Sequence, residues 1–287
     1  MTEAGRSPGD RDADVAGAAR HEITPRRAPV ETTGVPRHWF GGDPVATHIA
    51  NGVNMLFPAG ERFFVRSVNH YLDRIDDPGL RAQVRGFFGQ EGRHAKAHDD
   101  FNDRLRAQGY RIDRFLAMYE RIGRDVLERL APPPLRLAAT AAAEHFTAIM
   151  AENALTRGVL ERADPTMRQL LSWHAAEEIE HKAVAFDVLR AVNPSYALRM
   201  AGLAYATVSL TSFWILGATT LLRQDGLTRR DVRRRLREMR DENPIVRNVF
   251  ARGIREYMRR DFHPDDNDNY HLARAYLAGA TAPAGAA

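Results

Sequence analysis

The chain has 287 residues, enough to bury one substantial core, and its 41 basic residues are nearly balanced by 37 acidic ones, leaving a formal charge of +4. It contains no cysteine, which excludes disulfides, thiolate nucleophiles, iron–sulfur clusters and Cys-ligated zinc, so any bound metal must be held by nitrogen and oxygen. Apolar residues recur at three- and four-residue spacing between Pro, Gly and Asp punctuation, and no segment alternates as a strand does, so the fold class is all-α.

In chain order, residues 1–37 are polar and without hydrophobic period, and read as a disordered N-terminal arm. The N-terminus lacks a basic region followed by an apolar run, which predicts a cytoplasmic protein. Residues 38–270 form the helical body, and 271–287 a flexible tail. Pro58 occupies the first turn of a helix reaching about residue 72, and Asp77-Pro78 is an N-cap and first-turn proline opening a helix to about 108. A third helix covers 112–130, where Pro132, Pro133 and Pro134 stop it. The next spans 135–163, and Asp164-Pro165 repeats the cap signal to open a helix over 165–192.

A C-terminal helical extension follows from about residue 196. Within it, residues 200–222 are a 23-residue run without charge, long enough to cross a bilayer. A buried helix packed on the bundle, a substrate-tunnel or homodimer helix, and a peripheral membrane contact are the three readings of that run, the last favoured by its arginine flanks. Arg229, Arg230, Arg233, Arg234, Arg235, Arg237 and Arg240 form a basic stretch that reads as a solvated helix face, with anionic lipid or an acidic partner as the alternative. No aromatics are interleaved there, so no nucleic-acid partner is expected.

Two Glu-x-x-His pairs, Glu91/His94 and Glu178/His181, each follow a lone helical glutamate, Glu61 or Glu144. Residues three apart share a helix face, so each pair offers a carboxylate and an imidazole to one small volume. Four antiparallel helices contributing Glu, Glu-x-x-His, Glu and Glu-x-x-His suit a pair of metal ions bridged by carboxylates. Glu61 lies 16 residues before the turn at Asp77 and Glu91 lies 14 after it, so the two reach nearly one level. Glu144 and Glu178 lie 20 before and 14 after Asp164, a mismatch of about 9 Å that an earlier helix end would remove. His94 to Glu144 spans 50 residues, the long crossover of a ferritin-like four-helix bundle.

His174, Glu178 and His181 share one stripe, so His174 is either a seventh ligand or a supporting histidine. His98 falls one turn beyond the ligand layer and reads as a supporting residue, while Asp100, Asn153, Arg157 and Asp187 are further candidates for that role. Glu177, Glu180 and His145 are expected to point away, and Glu152 to be solvated. Oxygen and neutral imidazole donors suit two Fe ions, with Mn or mixed Mn/Fe as variants.

Through HWFGGDPVATHIANGVNMLFPAGERFF, QEGRHAKAH and WHAAEEIEHKAVAFDV the chain resembles the bacterial family of predicted metal-dependent hydrolases, over about residues 37–258. The His174/Glu178/His181 stripe also resembles a ligand helix of the di-iron arylamine N-oxygenases, which implies that Glu61, Glu91, His94, Glu144, His174, Glu178 and His181 are all metal ligands. The ligand order implies a non-haem di-iron oxidase or oxygenase using O2, an external electron donor and a small lipophilic organic substrate. A di-metal hydrolase is the alternative, and ferritin-like metal storage a third reading.

Overall fold

The computed structural model describes residues 20–242 and 246–281. Their regular structure is helical, with no strand among them beyond an isolated bridge between Phe40 and Ala163. Helix α1 (Pro44–Asn54) leads into α2 (Phe57–Asn69), α3 (Pro78–Ala107) and α4 (Asp113–Arg121), which continues through a π-helical turn at Ile122–Leu127. After the three prolines come α5 (Pro133–Thr156), α6 (Pro165–His181), α7 (Val184–Val192), the long α8 (Tyr196–Gln224), α9 (Arg229–Glu242), α10 (Arg252–Tyr257) and α11 (Tyr270–Thr281).

The Asp-Pro signals act as expected. The Asp77 carboxylate accepts from the Gly79 amide and that of Asp164 from Thr166, satisfying amides that a helix start leaves open. The same device at Asp43-Pro44 opens α1, a helix not anticipated from the sequence. Helix α5 ends at Thr156 rather than 163, and residues 157–164 form a loop held to the N-terminal segment by Asp164 N–H donating to Trp39 O. That shortening removes the height mismatch: Glu144 now lies 12 residues from the end of α5 and Glu178 lies 13 after the start of α6. The stretch expected as one helix over 165–192 is broken at 182–183, directly after His181.

Helices α2, α3, α6 and α5 pack as a ring of four, α2 on α3, α3 on α6, α6 on α5 and α5 back on α2. Two apolar clusters sandwich the polar layer at their centre. One is built on Val84, Phe87, Leu137, Phe146 and Phe186, and the other on Trp39, Phe101, Leu105, Met167 and Trp173. Helix α8 lies across α5 and α1, so close that a Cβ at Gly202 would fall 2.4 Å from the Ala138 backbone. Its packing is one-sided: only 28% of its most apolar 18-residue window is buried, and Val208, Ile215 and Leu216 are exposed. This helix is long and apolar enough to cross a membrane by length and composition alone.

Both ends differ from expectation where they are described. Residues 20–37 run over the bundle, with Ile23 and Val35 buried, instead of hanging free. The cause sits on α3, where Gly86 and Gly89 leave a trough for the arm: a Cβ at Gly86 would lie 2.3 Å from Ile23 O, and one at Gly89 would lie 2.3 Å from the Pro25 ring. Residues 270–281, expected largely as tail, form α11 and dock on α6 through Ala273 and Leu277. Residues 1–19 and 282–287 lie outside the described residues.

Candidate metal centre

The four central helices bring all seven predicted residues together. Glu61 comes from α2, Glu91 and His94 from α3, Glu144 from α5, and His174, Glu178 and His181 from α6, and none is more than 5% exposed. Donor atoms of Glu61, His94 and His174 lie within 4.8 Å of one another, as do those of Glu91, Glu178 and His181. Glu178 joins the two groups: Oε1 is 2.7 Å from His174 Nε2 and 3.7 Å from His94 Nδ1, while Oε2 is 3.6 Å from His181 Nε2. Glu144 completes the second group, 3.3 Å from His181 Nε2, and Glu91 stands 3.2 Å from the same nitrogen. Two subsites emerge, one with two imidazoles and one with a single imidazole.

Most of their donor atoms are unsatisfied, the exceptions being His174 Nε2 and Glu178 Oε1, which are bonded to each other. Both oxygens of Glu61, Glu91 and Glu144, Oε2 of Glu178, Nδ1 of His94 and Nε2 of His181 are buried with no hydrogen-bond partner. An uncompensated buried carboxylate costs several kcal/mol, and four in one volume repel each other as well. Without cations, protons must fill the gap. Burial drives the Glu61 and Glu91 carboxyls well above the ordinary range, reinforced by Glu178 at the first and Glu144 at the second. Burial likewise pushes Glu144 up to about 7. Although burial pulls on His181 in the other direction, the charges of Glu178 and Glu144 hold it well above its usual value, and despite burial His181 and His174 hold Glu178 well below. Mixed oxygen and imidazole donors, left open toward one dry volume, fit divalent cations.

Each imidazole of the centre is oriented from behind. His94 Nε2 is 3.0 Å from Glu177 Oε2, which leaves Nδ1 facing the centre, and His181 Nδ1 is 2.9 Å from Gln90 Oε1, which leaves Nε2 facing it. The two supports meet at one residue of the N-terminal arm. Arg26 donates to Glu177 Oε1 at 3.1 Å and to Glu180 Oε2 at 2.6 Å, and Gln90 Nε2 donates to the same Glu180 oxygen at 2.8 Å. Glu177 and Glu180 point away from the centre as expected, but into a second layer of bonds: Glu177 is fully buried and both carboxylates belong to this chain. Burial raises the Glu177 carboxyl to about 7 against the opposing pull of Arg26.

His98 is placed as anticipated, its Nε2 2.6 Å from His174 Nδ1. The other supporting candidates lie elsewhere: Asp100 pairs with Lys96, Asp187 with Arg20 and His263, and the Asn153 amide with Ile149 O. Glu152 is pinned by Arg252 rather than solvated, and His145 faces Gly253 O, away from the centre as expected. A separate histidine–carboxylate cluster, not anticipated, joins His38 and His48 to Asp225, with Nε2 to Oδ2 distances of 2.7 and 2.6 Å.

Fold and site together define an all-α protein with buried histidine–glutamate groups able to hold metal ions. The chain belongs to the family described as predicted metal-dependent hydrolase, which matches residues 24–268. That match takes in the arm from just before Arg26 as well as every residue of the centre. No curated protein and no solved structure matches the chain.

Proposed function

We propose that the seven residues hold two metal ions, iron in the working protein, and that the chain is an O2-dependent oxidase or oxygenase of a small lipophilic substrate. The observation that carries this reading is the set of unpartnered carboxylate and imidazole atoms facing one water-excluded volume. Two irons would supply the redox chemistry of O2 reduction. Inserting one oxygen atom into a substrate C–H or N–H bond, with the other leaving as water, consumes two electrons and two protons, so an external electron donor is part of the proposal. The chain's own contribution is orientation and exclusion. Glu177 and Gln90 fix which imidazole nitrogen faces inward, His98 does the same for His174, and the flanking apolar clusters keep bulk water out.

A cavity of about 260 Å³ is bounded by the two helices that carry Glu61 and Glu144, lined by Gly60 and Ala143, the residues directly before them, and by Phe63, Phe64 and Phe213. Its aromatic lining suits an apolar substrate. The family description favours a second reading, a hydrolase in which paired metals activate water and hold the leaving oxygen. Turnover by iron-loaded and zinc-loaded protein, with and without O2, separates the two. Activity that needs iron, O2 and a reductant supports the first, whereas activity surviving with zinc in the absence of O2 contradicts it.

A further inference from the structure

The cavity behind α2 and α5 holds two polar groups that the fold leaves unused. Tyr119 from α4 and Tyr205 from α8 both line it, and neither hydroxyl has a hydrogen-bond partner among the described residues. The Tyr119 hydroxyl sits over Gly60, the residue before Glu61, 3.6 Å from where a Cβ there would lie. Tyr hydroxyls on partly buried rings ordinarily find a partner, and two left over in one aromatic chamber are poised for a ligand. The charged groups at the same cavity are committed elsewhere. Arg62 donates to Asp99 and Glu120, Arg66 is paired with Glu128, and Arg124 lies against Asp125. Among the described residues, each cation lining the cavity therefore already faces a carboxylate that balances its charge.

We infer that this cavity binds a small uncharged aromatic or alicyclic molecule bearing one hydrogen-bonding group, with Tyr119 and Tyr205 reading that group and Phe63, Phe64 and Phe213 packing its body. That this molecule is the substrate rests on the metal-centre reading given above; that it binds does not. A carboxylate of the same shape loses, because its charge would compete with Glu120 and Glu128 for arginines already balanced. A plain hydrocarbon loses because it leaves the hydroxyls unpaired.

Calorimetric titration of the full chain, metal-free and iron-loaded, with 2-naphthol, naphthalene and 2-naphthoate tests this. The expected order is 2-naphthol tightest, with naphthalene and naphthoate each about tenfold weaker or worse. Tyr119→Phe and Tyr205→Phe should each weaken 2-naphthol by about three- to tenfold and leave naphthalene unchanged, a pattern a general packing defect would not give. Ser209→Phe, which fills the cavity from α8, should remove both ligands while thermal melting confirms a folded chain. Equal binding of naphthoate, unchanged 2-naphthol affinity in both Phe variants, or no binding of any probe overturns the assignment. Metal content measured on the same samples keeps the two readings apart: naphthol binding without metal uptake preserves the cavity and removes the centre, and metal uptake without naphthol binding does the reverse.

Discussion

Two histidine–carboxylate clusters in this molecule, one partly buried and one fully buried, have opposite electrostatics. Around Asp225, every carboxylate oxygen is occupied: Oδ1 takes Arg37 at 2.7 Å and Oδ2 takes His38 and His48, with the Tyr110 hydroxyl 3.0 Å from both. Arg37 supplies the balancing charge, and the cluster ties the end of α8 to α1 and the arm. Around Glu178, four carboxylates face each other with no Lys or Arg among their partners and with most of their oxygens unpaired. Proximity of His and Glu is common to both, so proximity alone does not mark a metal site. The distinguishing property is unsatisfied donor capacity, which the first cluster lacks.

The largest expected effect follows from removing a ligand. Glu91→Ala or Glu178→Ala should abolish retention of metal after desalting, read by elemental analysis, and should remove the thermal stabilisation that metal gives the parent. Asp225→Asn should leave metal content unchanged while costing about 1–3 kcal/mol by denaturant unfolding, at the low end because Arg37 is partly solvated. Metal lost from Asp225→Asn and kept in Glu178→Ala would reverse the assignment of the two clusters.

Next comes the arm. Arg26→Ala leaves Glu177 and Glu180 facing each other without their shared cation, loosening the supports of His94 and His181 at once. The expected outcome is a loss of about 10- to 100-fold in metal affinity by competition with a chelator, with ligand number preserved at saturating metal. Gly86→Ala should do the same indirectly by expelling Ile23, at a stability cost of about 1–3 kcal/mol.

The pH dependence of metal-free protein should separate the clusters by sign. Against the pull of burial, hydrogen bonds from Arg37, His48 and His38 hold Asp225 well below its ordinary 3.8, so its contribution is complete above about pH 4 and fades as pH falls toward the depressed folded value. Glu144 is pushed by burial from 4.5 up to about 7, so its contribution is complete below about pH 4.5 and is lost as pH rises through 7. Thermal melts from about pH 2 to 8 should show the acid-side loss below about pH 4 reduced in Asp225→Asn and the alkaline-side loss reduced in Glu144→Gln. Metal binding displaces the protons of the centre, so affinity should rise across the same alkaline window.

The convergence of the seven residues was legible in the sequence because it is a local pattern: a three-residue spacing fixes the helix face, and Asp-Pro caps fix the level. The same cap signal at Asp43-Pro44 marks α1 and was readable by the same rule. What escaped was carried by contacts distant in sequence. Glu177 and Glu180 look like the outer flank of a charged helix until Arg26, about 150 residues away and in a stretch with no period, is laid over them. The clue to that docking was the pair Gly86 and Gly89 within a helix, a costly choice unless another backbone passes close by. The Asp225 cluster escaped for a similar reason, since its two histidines and its aspartate sit on segments joined only by the fold.

Iron reconstitution of the parent chain, Asp225→Asn and Glu178→Ala, followed by desalting and elemental analysis, tests the central claim most directly. About two irons per chain in the first two and none in the third is the predicted result. Iron retained by Glu178→Ala, or a parent that holds none, would contradict it.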